Sequence, residues 1–330
     1  FRFIFLAIPL ATLIAFFTGK VKKEEMLIYF LWYIPSAIAL AMKSGISGLF
    51  SDITISTLSL VVFLTLLTHF IIKEKTWEKI KGKIKIHISK EAFSFLLVIL
   101  AGLIFIIIIK PEFILNLFPN LIQSLLHPFG DTRTGSTVAE NAQPYVTSWI
   151  SELSAPIFWM FFAGTIFLFY ESVRNLDKKD KIVSTISFVL FLIGFIFSNY
   201  SSDSIFNGTS FISQITYFGS LFILIFGFFY VYRKNAKNNS LKEIEFPYIF
   251  TISLIILMVL ASRGAIRLLV ISSPVFIIPV AFLAVNLLSS RIKAKDDLWK
   301  FLLFILFLIA AFFIISTVIN YEKTTATYAR

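Results

Sequence analysis

The stretch GDTRTGSTVAENAQPYVTSW, residues 130–149, holds Glu140, the only acid between Asp131 and Glu152. A carboxylate in a long polar loop can ligate a hard divalent cation when other segments bring further oxygens to it. No second acid lies beside Glu140, so such a site is completed from elsewhere; the plainer alternative is a solvated loop glutamate. Gly130 and Gly135 permit unusual backbone angles ahead of it, and Gln143-Pro144 followed by Ser148-Trp149 re-anchors the chain. A second pair, Arg263 and Arg267 in ASRGAIRLLV, is spaced to share one face of a helix. Guanidinium groups suit phosphate oxygens, which makes the pair a clamp for an anionic headgroup or a pair of snorkelling interface anchors. With no Cys and only His69, His87 and His127, a thiolate or zinc site is not expected.

The elements that must position these residues are apolar. The 330-residue chain is 58% hydrophobic with 40 Phe, a mean hydropathy of +0.86 and 15% charged residues, against about 25% in soluble domains. Runs near the roughly 20 residues that cross a bilayer core as helix recur at 1–19, 26–42, 53–72, 92–109, 156–170, 183–198, 214–232, 247–262, 267–288 and 301–319. They are continuous rather than alternating, which favours helices over a barrel. The expectation is an all-α polytopic membrane protein of about ten spans, in four (1–109) and six (156–320), flanking a long external segment, 110–155. The first part of that segment is amphipathic around Pro119 and suits the membrane interface.

Charge sets the orientation. The connections at 20–25, 73–91, 171–181, 233–245 and 291–300 hold 22 of the 30 Lys and Arg, so they are expected in the cytoplasm and the glutamate loop outside. The net charge of +11 thereby has a topological cause, and no nucleic-acid partner is expected. Residues 247–288 are too long for one crossing, at about 63 Å of helix, and must double back near ASRGAIRLLV. Asn199, Asn207 and Asn238 head Asn-x-Ser/Thr tripeptides, of which Asn207 is the expected external acceptor.

TVAENAQPYVTSW resembles the fifth external loop of the oligosaccharyltransferase catalytic subunit, in the membrane C-type glycosyltransferase family. That loop carries Ser/Thr, a hydrophobic residue, any residue and Glu, followed by Gln-Pro and Trp. Here Thr137, Val138, Ala139 and Glu140 fill the four places, with Gln143, Pro144 and Trp149 after them. Asn141 and Ala142 stand where family members often have one residue, commonly His. SRGAIRLLVISSPVF is similar to a family segment in which Arg, an apolar residue and a later Pro recur, matched by Arg267, Leu268 and Pro274. Family members have thirteen spans, so the ten here correspond to the fourth to thirteenth.

The resemblance implies metal-dependent transfer of a glycan from a polyprenyl-(pyro)phosphate lipid to Asn in Asn-x-Ser/Thr sequons, at the outer face of the cell membrane. Its partners are the lipid-linked oligosaccharide, an acceptor polypeptide and membrane lipids. It further implies Mg²⁺ or Mn²⁺ as cofactor, with Glu140 in the metal site and holding the acceptor amide. Arg267 contacts the donor pyrophosphate with Arg263 as its second, and Thr137 and Val138 touch the acceptor peptide. On this reading the N-terminal acidic motifs precede Phe1, and residues 321–330 begin an external soluble domain, so the fragment alone lacks part of its active site. The alternatives are another polyprenyl-donor transferase, an O-mannosyltransferase or a polysaccharide ligase, and, in a different class, a transporter.

Overall fold

The computed structural model describes residues 2–44, 56–73, 76–80, 89–109, 142–235, 240–293 and 296–328. Each of the ten apolar runs is helical in its described part. In chain order the helices are α1 (Arg2–Phe17), α2 (Lys23–Ser44), α3 (Ser56–Ile71), α4 (Lys90–Ile109), α5 (Val146–Leu153), α6 (Ala155–Ser172), α7 (Lys178–Phe197), α8 (Phe211–Asn235), α9 (Phe246–Gly264), α10 (Ile266–Lys293) and α11 (Asp297–Tyr328). Among the described residues there is no β-strand, and eight helices are long and apolar enough to cross a membrane. The chain is an all-α, multi-pass membrane protein. The helices of the first and third runs are apolar but shorter in their described parts, Leu6–Phe17 and Ser56–Ile71.

The chain divides into two compact units, the first formed by Phe1–His127 with Tyr232–Leu257. Its core gathers Phe16, Met26, Tyr29, Tyr33, Val62 and Leu66 from α1, α2 and α3. Helix starts here are capped by nearby side chains. The Glu25 carboxylate accepts the Lys22 backbone N–H at 2.7 Å, half of a capping box at the entry to α2. Ser89 caps α4 by accepting the Ala92 N–H at 3.2 Å, and its hydroxyl also lies 3.0 Å from the Tyr232 hydroxyl.

The second unit comprises Pro128–Val231 and Met258–Arg330. Aromatic side chains fill its interior: Phe169 stacks on Phe188 at 4.2 Å, Phe195 meets Tyr217 at 4.6 Å, and Phe276 receives both Phe161 and Trp149. Small residues let helix backbones approach, as expected where lipid cannot drive helices together by the hydrophobic effect. A Cβ on Gly164 of α6 would collide with the Pro279 carbonyl of α10, and one on Gly194 of α7 would press on Ser220 of α8. Pro274 deprives the Val270 carbonyl of its helical donor, and the Ser273 hydroxyl supplies one at 2.8 Å.

One feature departs from the sequence reading and another agrees with it. Helix α5 folds at the end of the segment read as loop, with Val146, Trp149 and Leu153 buried along one side. Ser154, at φ 66°, turns the chain directly into α6. The expected reversal within 247–288 falls at Ala265, between α9 and α10. Ser272 Oγ lies 3.4 Å from Met258 Sδ across that break.

Candidate functional site

Three segments far apart in sequence meet in the second unit: residues 142–149, the α7–α8 connection, and the α9–α10 turn. The charge pattern assigns all three to one membrane face, and the structure joins them by hydrogen bonds. The Ile266 N–H donates to the Ala142 carbonyl at 3.0 Å, and the Val146 N–H donates to the Asn199 carbonyl at 3.1 Å. Asn199 Nδ2 in turn donates to the Pro144 carbonyl at 2.9 Å. Ala142, Pro144 and Val146 are thereby fixed in a run of five residues.

Arg263 completes the arrangement. Its Nη1 donates to Gln143 Oε1 at 2.6 Å, and the guanidinium sits 5.5 Å from the centre of the Tyr217 ring, within cation–π range. The side chain is only 4% exposed and its Nε has no partner among the described residues. Among the described residues, Tyr217 and Tyr145 also bear on it electrostatically. Among the described residues this buried cation is held by a neutral amide oxygen and an aromatic face. Gly208, at φ 86°, packs tightly enough that a Cβ there would strike Asn199 Oδ1 and come within 3.4 Å of Gln143 Oε1.

Arg267 is placed differently. The break at Ala265 puts Arg263 in the last turn of α9 and Arg267 in the first turn of α10, so the two are not four apart on one helix as their spacing suggests. Arg263 is buried and Arg267 exposed. Glu140, Thr137 and Val138 lie outside the described residues, as does Asn238. Trp149, which closes the loop motif, is wholly buried against Phe276 at 5.5 Å and serves as the packing anchor of α5.

Sequence reasoning passed over Asn199. Its Asn-Tyr-Ser tripeptide reads as a glycosylation acceptor, but the side chain is 1% exposed and bonded to Pro144. Asn207 Oδ1 accepts from Thr209 N, Thr209 Oγ1 and Ser210 N, closing the turn before α8. No signal in the sequence separates these roles from an acceptor role. Among the described residues no three His, Asp or Glu side chains gather as a metal site. A separate cavity of ≈ 770 Å³ in the first unit, lined by Thr12, Lys20, Glu25, Tyr29, Trp32 and neighbouring residues, is mostly apolar. Comparison with protein-family models, with curated proteins and with solved structures finds no match to the chain.

Proposed function

We propose that the chain is a membrane glycosyltransferase of oligosaccharyltransferase type, moving a glycan from a polyprenyl-(pyro)phosphate donor to the asparagine of Asn-x-Ser/Thr sequons at the outer face. The observation that carries this reading is the Ile266–Ala142 hydrogen bond. It joins the residue beside Arg267 to Ala142, so the described end of the first motif, from Ala142 onward, neighbours the second. They stand more than 120 residues apart in the chain, and neither motif alone requires the other.

In the proposed reaction the acceptor amide nitrogen forms a bond to the anomeric carbon of the sugar. The bond from that carbon to the pyrophosphate oxygen breaks, its electron pair leaves with the pyrophosphate, and the amide gives one N–H proton to the Glu140 carboxylate. An amide nitrogen is a weak nucleophile, so Glu140 holds its N–H groups in place for attack. Arg267, exposed at the start of α10, offers a cation to the leaving pyrophosphate. Thr137 and Val138 line the acceptor's approach. A bound Mg²⁺ or Mn²⁺ supplies additional positive charge to the leaving group. Of the residues assigned to this chemistry, Glu140 is the one suited to ligate the ion, and the described residues add no carboxylate cluster to it.

The test is glycan transfer to an Asn-x-Thr peptide by the full chain in membranes with a lipid-linked donor. Glu140→Gln is expected to lower turnover at least tenfold, about 1.4 kcal/mol of barrier. Arg267→Ala is expected to raise the donor KM more than the peptide KM. Wild-type turnover in Glu140→Gln removes the glutamate from the mechanism. Transfer to Ser or Thr hydroxyls of a sequon-free peptide favours an O-mannosyltransferase instead.

A further inference from the structure

We propose that Arg263, Gln143 and Asn199 form a clasp that positions the end of the glutamate loop, so that Arg263 acts through Gln143 and does not contact the donor. This deepens the function proposed above and rests on it for its catalytic consequence.

The burial of Arg263 is the first ground. A guanidinium that is 4% exposed, with Nη1 2.6 Å from a side-chain amide oxygen, has little surface to offer a lipid headgroup. Arg267, in the next helix, is exposed and has that surface. The second ground is the form of the bonding. Gln143 is held by its side chain, Ala142 and Pro144 by their carbonyls, and Val146 by its N–H, so four of five consecutive residues are tied to α9–α10 or to Asn199. A segment tied this densely ahead of a helix has a fixed path. The third ground is Gly208, whose bare Cα admits Asn199 Oδ1 and Gln143 Oε1 together, where any side chain would push them apart.

The clasp also explains why a glutamine suits position 143. Its oxygen accepts from Arg263 without cancelling the guanidinium charge, whereas a carboxylate would neutralise it. The positive field therefore persists beside Ile266 and Arg267, where the proposed leaving group develops negative charge.

The experiment compares wild type, Gln143→Leu, Gln143→Glu and Asn199→Asp in the full chain reconstituted in nanodiscs. Hydrogen exchange is read at the Val146 and Ile266 amides, the donors to Asn199 and Ala142. Gln143→Leu and Asn199→Asp are expected to speed exchange at these amides about tenfold or more, with exchange across α7 unchanged. Gln143→Glu, which keeps an acceptor for Arg263, is expected to restore the protection. In transfer assays Gln143→Leu is expected to lower kcat with the donor KM within about twofold of wild type, the mark of lost positioning rather than lost binding. Unchanged exchange in Gln143→Leu overturns the clasp. Unchanged kcat with a raised donor KM returns Arg263 and Gln143 to donor binding and also overturns it. Absence of transfer by the wild type refutes the function proposed above and the catalytic role of the clasp, while the exchange data still decide whether the segment is held as described.

Discussion

Two turns of this protein carry basic residues between apolar helices, and they are built on opposite plans. At the lysine turn, Thr18–Lys22, the backbone bonds close locally. The N–H groups of Thr18, Gly19 and Lys20 return to the carbonyls of Ile14, Phe16 and Ala15, Gly19 takes φ 70°, and Glu25 caps the next helix. Lys22 and Lys23 stay exposed. Lys20 is partly covered; burial pulls its ammonium below the usual lysine value, while Glu245 and Glu25 push it back up. At the arginine turn, Gly264–Ile266, the partners come from elsewhere: Arg263 reaches Gln143, and Ile266 reaches Ala142. The lysine turn keeps most of its charge in solvent. The arginine turn takes charge into the packed interior.

Substitutions at the two turns should therefore fail on different scales. Trp149→Ala removes the side chain that seats α5 against α10 next to the arginine turn and should destabilise the second unit by about 3–5 kcal/mol, read as thermal unfolding in detergent. A loss below about 1 kcal/mol would mean that this region is as loosely built as the lysine turn. Gly19→Ala forces a Cβ into the left-handed region and should cost about 1–2 kcal/mol by the same measurement. Glu25→Gln keeps an acceptor for the Lys22 N–H and should cost about 0.5 kcal/mol or less, because the site is exposed. If Glu25→Gln proved more damaging than Gly19→Ala, charge rather than backbone geometry would be what holds the lysine turn.

The same contrast explains what the residues disclosed beforehand. Spans are written locally, as runs of Leu, Ile and Phe matched to the bilayer, so each expected run is helical where it is described. The reversal near residue 265 followed from length alone, since 42 apolar residues exceed one crossing. Helix α5 was legible in principle: Val146, Trp149 and Leu153 have helical spacing, but eight residues beside a polar loop are easily read as part of it. The positioning of Arg263 was not legible. Its partner lies 120 residues away, and the spacing to Arg267 suggests a shared face that the break at Ala265 removes. Asn199 was hidden for a similar reason, since its tripeptide announces a modification while its bond to Pro144 spans 55 residues.

The separation between Gln143 and Arg263 also has a consequence in time. A ribosome adding about 5–20 residues per second makes residue 143 roughly 6–24 s before residue 263. Over that interval Asn199 is synthesised and Arg263 is not. The Asn199 partners Pro144 and Val146 precede it in the chain, so the bonds to Asn199 can form before Arg263 exists. The segment from Ala142 to Val146 is thus fastened from two places that the ribosome supplies at different times, Asn199 first and Arg263 with Ile266 later.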